Sequence, residues 1–138
     1  MAKLFWELAA IMTTIIGVFH LAGTLFTKGL HPKDPQLIAD MQTAPLNLSN
    51  KLIIWKAWIG FNAAHSCGVI FIGVTNFYLA SNYFELLKHD YMFAVLSVAA
   101  RLFYLWIART YWFKGVFRVL AVDLVLFLTG VTLMIFNK

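Results

Sequence analysis

The sequence has 138 residues, enough for one domain, of which 62% are hydrophobic and 12% charged. Ordinary soluble domains hold about 45–50% apolar and about 25% charged residues; spread evenly, this composition would be a core without a surface, whereas gathered into runs it is an integral membrane protein. The net charge of +5 is modest and no basic, aromatic-interleaved soluble face goes with it, so nucleic acid is not an expected partner and the lipid bilayer is.

The runs are present. A spanning helix needs about 20 predominantly apolar residues. Leu8 to Phe26 supplies the first. No small-residue cleavage site follows it, which predicts a retained helix rather than a signal peptide. Ala57 to Ala80 is the second, Tyr91 to Ala108 the third, interrupted by Arg101, and Val116 to Phe136 the fourth, interrupted by Arg118 and Asp123. A barrel would instead show segments of about ten residues alternating apolar and polar. The expected fold is therefore all-α: one polytopic domain over 1–138, an antiparallel bundle of four transmembrane helices at about 4–26, 52–80, 90–112 and 116–137.

The first connection, "TKGLHPKDPQLIADMQTAPLNLSN", is long and carries all three prolines. Asp34-Pro35 reads as an N-cap followed by proline at the first helical position. Leu37, Ile38 and Met41 then share a face, predicting a short amphipathic helix able to lie on the membrane surface. The plain reading is an ordered connector, and a lid over a site is the sharper one. The other two connections are short, which makes helices two, three and four antiparallel neighbours.

Lysine and arginine accumulate in cytoplasmic loops. Lys28, Lys33, Lys51 and Lys56 flank the first connection and Arg109, Lys114 and Arg118 the third, against Lys3, Lys88 and Lys138 on the other side. The asymmetry predicts both termini outside the cytoplasm. Trp6, Trp55, Trp58, Trp106 and Trp112 lie towards helix ends, where indoles favour the interface. Glu7 reads as an interfacial, solvated carboxylate. The single cysteine, Cys67, excludes an intrachain disulfide and reads as a small packing residue.

Charge inside a membrane is rare and is usually paired or turned to the bundle interior. Arg101 and Asp123 fall at similar depth on adjacent antiparallel helices and are expected to pair. Helix one carries a stripe of Thr13, Gly17, His20 and Thr24. In helix two Asn62, His65 and Ser66 share a face, and Gly60, Ala64 and Gly68 have the four-residue spacing that lets another backbone approach. Ser97 and Tyr104 extend the Arg101 face. The plain reading of each histidine is one satisfied by a neighbouring carbonyl or hydroxyl. The sharper reading gathers all four helices' polar groups into one pocket.

The pattern "GVFHLAGTLF" followed by "WKAWIGFNAAHSCGVIFIG" resembles a family of small, uncharacterised bacterial four-helix membrane proteins. A histidine in helix one and a tryptophan–glycine–phenylalanine–asparagine–histidine–serine run in helix two recur there. The resemblance implies His20, Trp58, Gly60, Phe61, Asn62, His65 and Ser66 as family features, and a location in the bacterial inner membrane. In shape alone the chain is also loosely similar to DoxX-like proteins, some of which are linked to quinone redox chemistry.

Three functions follow as expectations. The first is a binding module whose candidate residues His20, Trp58, Asn62, His65, Ser66, Arg101, Tyr104 and Asp123 hold a quinone, a lipid head group or haem. For haem, His20 and His65 are the minimum axial set; no other metal constellation is predicted. The second is a structural or accessory subunit, in a homo-oligomer or larger membrane complex, where the same groups serve only helix packing. An enzyme or small transporter comes third, because no P-loop, serine triad or paired catalytic carboxylates are present and four helices are few for a pathway.

Overall fold

The structure, a computed structural model, describes residues 1–136; Asn137 and Lys138, which the sequence places at the end of the fourth helix and in the outer charge count, lie outside them. In chain order it holds α1 (Ala2–Leu25), α2 (Pro35–Thr43), β1 (Pro45–Leu46), β2 (Ser49–Ile53), α3 (Ile54–Asn82), α4 (Phe84–His89), α5 (Met92–Tyr111) and α6 (Lys114–Phe136). Of these, α1, α3, α5 and α6 are long and apolar enough to cross a membrane. At most 28% of any of their most apolar stretches is buried inside the chain, so most of that surface is left for lipid or another protein, as in a multi-pass membrane protein.

The local chemistry sets the boundaries. α1 runs uninterrupted to Leu25, and after it a turn closes with the His31 amide donating to Lys28 O at 3.1 Å. The Asp34 side chain accepts from the Gln36 amide and Pro35 opens α2, as the Asp-Pro signal predicts. α2 stops at Thr43, because Ala44, the residue preceding Pro45, is pushed towards extended backbone. The chain then makes a small antiparallel hairpin, Pro45 opposite Ile53 and Leu46 opposite Ser49, with a bulge between. This hairpin corrects the expected helix start at 52: Leu52 and Ile53 are strand, and the Ile54 amide, bonded to Ala44 O at 3.0 Å, marks where α3 begins. At 1.5 Å per residue α3 is roughly 44 Å long, longer than a hydrocarbon core of about 30 Å.

A second element the apolar pattern hides is α4, a single short helix between α3 and α5. Asp90 ends it and then accepts from the Met92 amide at 2.9 Å, capping the turn into α5. α6 begins two residues earlier than expected, at Lys114, directly after Trp112 and Phe113.

The chain divides into two compact units. One joins Met1–Ile15 to the chain from Ile70 onward. Its core is Trp6, Ala9, Ala80, Leu87, Ala94, Phe127 and Met134. Trp6 was expected at the interface but is fully buried: its ring lies 4.6 Å from Phe127 and 6.5 Å from Phe93, and its indole N–H donates to Asn76 Oδ1 at 3.0 Å. Two glycines let backbones meet here. A Cβ on Gly130 would fall 2.9 Å from Trp6 N, and one on Gly73 would fall 2.9 Å from Ala10 O. At the outer edge of the same unit Glu7 accepts from Ser81 Oγ at 2.9 Å, while Lys3 donates to Ser81 O, also at 2.9 Å. Glu7 is thus partnered, not simply solvated.

The other unit is Ile16–Val69. It holds the end of α1, the whole first connection and the first half of α3. Gly17, Thr24, Ser66 and Val69 are buried in it. His31 packs edge-on against Trp55 with ring centroids 4.9 Å apart, joining the connection to the start of α3.

Candidate functional site

The expected site residues fall into two clusters, one in each unit. In the first unit Arg101 and Asp123 are both buried, at 5% and 2% exposure. Arg101 Nε donates to Asp123 Oδ2 at 3.0 Å, Nη1 to Ser97 O at 3.3 Å and Nη2 to Thr13 Oγ1 at 3.2 Å. Thr13 Oγ1 also lies 2.9 Å from Asp123 Oδ1. The guanidinium stands over the Phe127 ring, 3.9 Å from its centroid, a favourable placement for a cation on a π-face. The helix registers explain the meeting. Arg101 is near the middle of α5, Asp123 near the middle of α6 and Thr13 near the middle of α1, so each lies roughly 13–17 Å along its helix from the nearer end. The pair is therefore closer to mid-helix than the apolar runs alone suggest.

The network continues through residues the sequence reading passed over. Ser97 Oγ lies 3.2 Å from Asn76 Oδ1, which also accepts from Trp6 Nε1, and Asn76 Nδ2 donates to Ile72 O at 2.9 Å. The signal for Asn76 was available: an amide inside "GVTNFYLA" must find partners. Tyr104, three residues beyond Arg101, is half-buried with its ring 6.1 Å from that of Phe103. Among the described residues no buried side-chain nitrogen or oxygen lacks a hydrogen-bond partner. This unit also carries a groove of about 200 Å³ lined by Ile11, Thr14, Ile15, Val74 and Phe77. Its one hydroxyl, on Thr14, is bonded to Ala10 O at 2.9 Å, so the groove offers little but apolar contact.

The second cluster is His20, Asn62 and His65. The His20 and His65 rings stand edge to face, centroids 5.2 Å apart and planes at 73°. His20 Nε2 is 3.2 Å from Asn62 Oδ1. Asn62 Nδ2 donates to Trp58 O at 2.8 Å, which fixes the amide so that its oxygen faces His20. The supports lie one turn away on each helix: Thr24 Oγ1 donates to His20 O at 2.8 Å and Ser66 Oγ to Asn62 O at 2.7 Å. Ser66 is thus a buried prop of the helix backbone. Trp58 contributes its carbonyl, while its ring is exposed. All three clustered side chains are only partly buried.

On the same stretch of α3, Gly60 and Ala64 are exposed and Gly68 half-buried. Beyond its own turn of helix, no atom of the described chain would lie within 4 Å of a Cβ on Gly60. Close backbone approaches occur at Gly73 and Gly130. No family model, curated protein or solved structure matches the chain.

Proposed function

We propose that the chain is a small inner-membrane protein in which His20, Asn62 and His65 hold the polar head of a lipophilic ligand. The observation that supports this reading is the contrast in openness: the Arg101–Asp123 network is sealed, whereas the imidazoles and the amide are partly accessible. These groups carry no fixed charge, and neutral donors and acceptors suit a carbonyl or hydroxyl head. A quinone therefore fits better than a phosphate-bearing lipid, for which a guanidinium is the natural partner, and Arg101 is committed to Asp123 and Thr13. Haem fits less well, because the two rings touch where axial ligands would need a macrocycle between them. The reading includes an antiparallel four-helix arrangement, both termini outside the cytoplasm and kinship with the small bacterial four-helix family. Lipid extraction of the purified protein followed by mass spectrometry tests it: a quinone retained by the wild type and lost in His65→Ala is the expected result. A Soret band in the visible spectrum would select haem instead. A reporter at the carboxyl terminus should be active outside the cytoplasm, and cytoplasmic activity would reverse the orientation.

The uncovered Gly60–Ala64 face favours a second reading, an accessory subunit docked through α3. Small residues let membrane helices approach closely. Cys67 is exposed on the same helix, so oxidative cross-linking in native membranes tests it directly. A Cys67-linked homodimer would support self-association, and a retained ligand without any cross-link would leave the binding module alone.

A further inference from the structure

We propose that His20, His65 and the amide oxygen of Asn62 form a site for a divalent first-row transition-metal ion (zinc, cobalt, nickel or copper), with one position left for an outside donor. The inference concerns the same side chains as the proposed ligand site and rests on their being reachable there.

In a tetrahedral site an ion sits about 2.0–2.1 Å from imidazole nitrogen and about 2.0–2.2 Å from an oxygen ligand, so two adjacent ligand atoms stand roughly 3.3 Å apart and the centroids of two ligating imidazoles roughly 5 Å apart. His20 Nε2 and Asn62 Oδ1 are separated by 3.2 Å, and the two imidazole centroids by 5.2 Å. Both separations are of the size that a single shared ion would set. The first is also at the long end for an N–H···O hydrogen bond. With the ring proton on Nδ1, His20 Nε2 turns its lone pair to the same point as the amide oxygen, whose direction the Trp58 carbonyl fixes. That carbonyl is the outer partner that metal ligands need to hold their orientation. Imidazole is a good ligand for zinc, copper and nickel. Among the described residues no three His, Cys, Asp or Glu side chains come together. The protein therefore supplies two strong ligands and one weak one, and an ion bound here keeps a place for water or for the oxygen of an amphiphile.

The test is a cobalt(II) titration of the chelator-stripped, detergent-purified full chain, followed by visible absorption. Intense four-coordinate d–d bands saturating at one ion per chain, displaced by zinc, are the expected result. The bands should vanish in His20→Ala and in His65→Ala and survive in His31→Ala and His89→Ala. Asn62→Asp should tighten cobalt binding on the order of tenfold and Asn62→Leu should weaken it as much. Weak octahedral absorption only, or bands that persist in the His20→Ala/His65→Ala double variant, would overturn the site. If the histidine variants fail to fold, equal affinities in Asn62→Asp and Asn62→Leu overturn it as well. Mass spectrometry of extracted lipid from the metal-free protein reads the quinone proposal separately, so either can fail without the other.

Discussion

The Arg101–Asp123 network and the His20–Asn62–His65 cluster occupy helices of the same apolar character, yet one is closed on all sides and the other half open. The difference follows from charge. A guanidinium and a carboxylate cannot be left without partners at the middle of a membrane helix, where desolvation costs several kcal/mol per ion even after relaxation. The sequence around them therefore supplies Thr13, Ser97 and the Phe127 ring as well as the ion pair. Imidazoles and an amide cost less to expose partly, so their cluster tolerates an open side. On the reading proposed above, closure makes the first cluster a poor host for an added molecule, and the open side of the second is where an outside partner binds.

The largest effects are expected at the ion pair. Arg101→Leu or Asp123→Leu alone should lower stability in detergent by about 3–5 kcal/mol, each stranding a buried charge, while the double change restores part of the loss. Denaturant unfolding of the three variants checks this, and strictly additive damage would show that the two residues do not act as a pair. Next in size is Gly130→Ala, which places a Cβ 2.9 Å from Trp6 N. Overpacking of that kind should cost about 1–3 kcal/mol, visible as a lower melting temperature in the same detergent.

Smaller effects are expected at the two amides and at Gly60. Asn76→Ala removes the acceptor shared by Trp6 and Ser97 and should cost about 1–3 kcal/mol, since it strands a buried indole N–H. Asn62→Ala, acting on a partly exposed group, should cost less than Asn76→Ala in a side-by-side melt. An equal loss would mean that the second cluster is as closed as the first. Gly60→Ala is expected to stay within about 0.5 kcal/mol, because nothing in the described chain approaches it. A marked loss of stability there, together with loss of an oligomer, would reveal a helix from another chain against that face.

Four apolar runs of spanning length, the Asp34-Pro35 helix start and the pairing of Arg101 with Asp123 were all legible in the sequence, because each depends on local composition or on depth along neighbouring helices. The hairpin before α3 was not, since Leu52 and Ile53 are as apolar as the helix that follows and only pairing with Pro45 and Leu46 separates them. Trp6 shows the same limit. Its position near a helix end argued for the interface, but the contact with Phe127 and the hydrogen bond to Asn76 decided for the core. Helical spacing named His20, Asn62 and His65 as residues needing partners. Only the tertiary structure decided that they meet one another with two rings 5.2 Å apart, because spacing along a helix sets which face a side chain takes, whereas the crossing of two helices sets what that face touches.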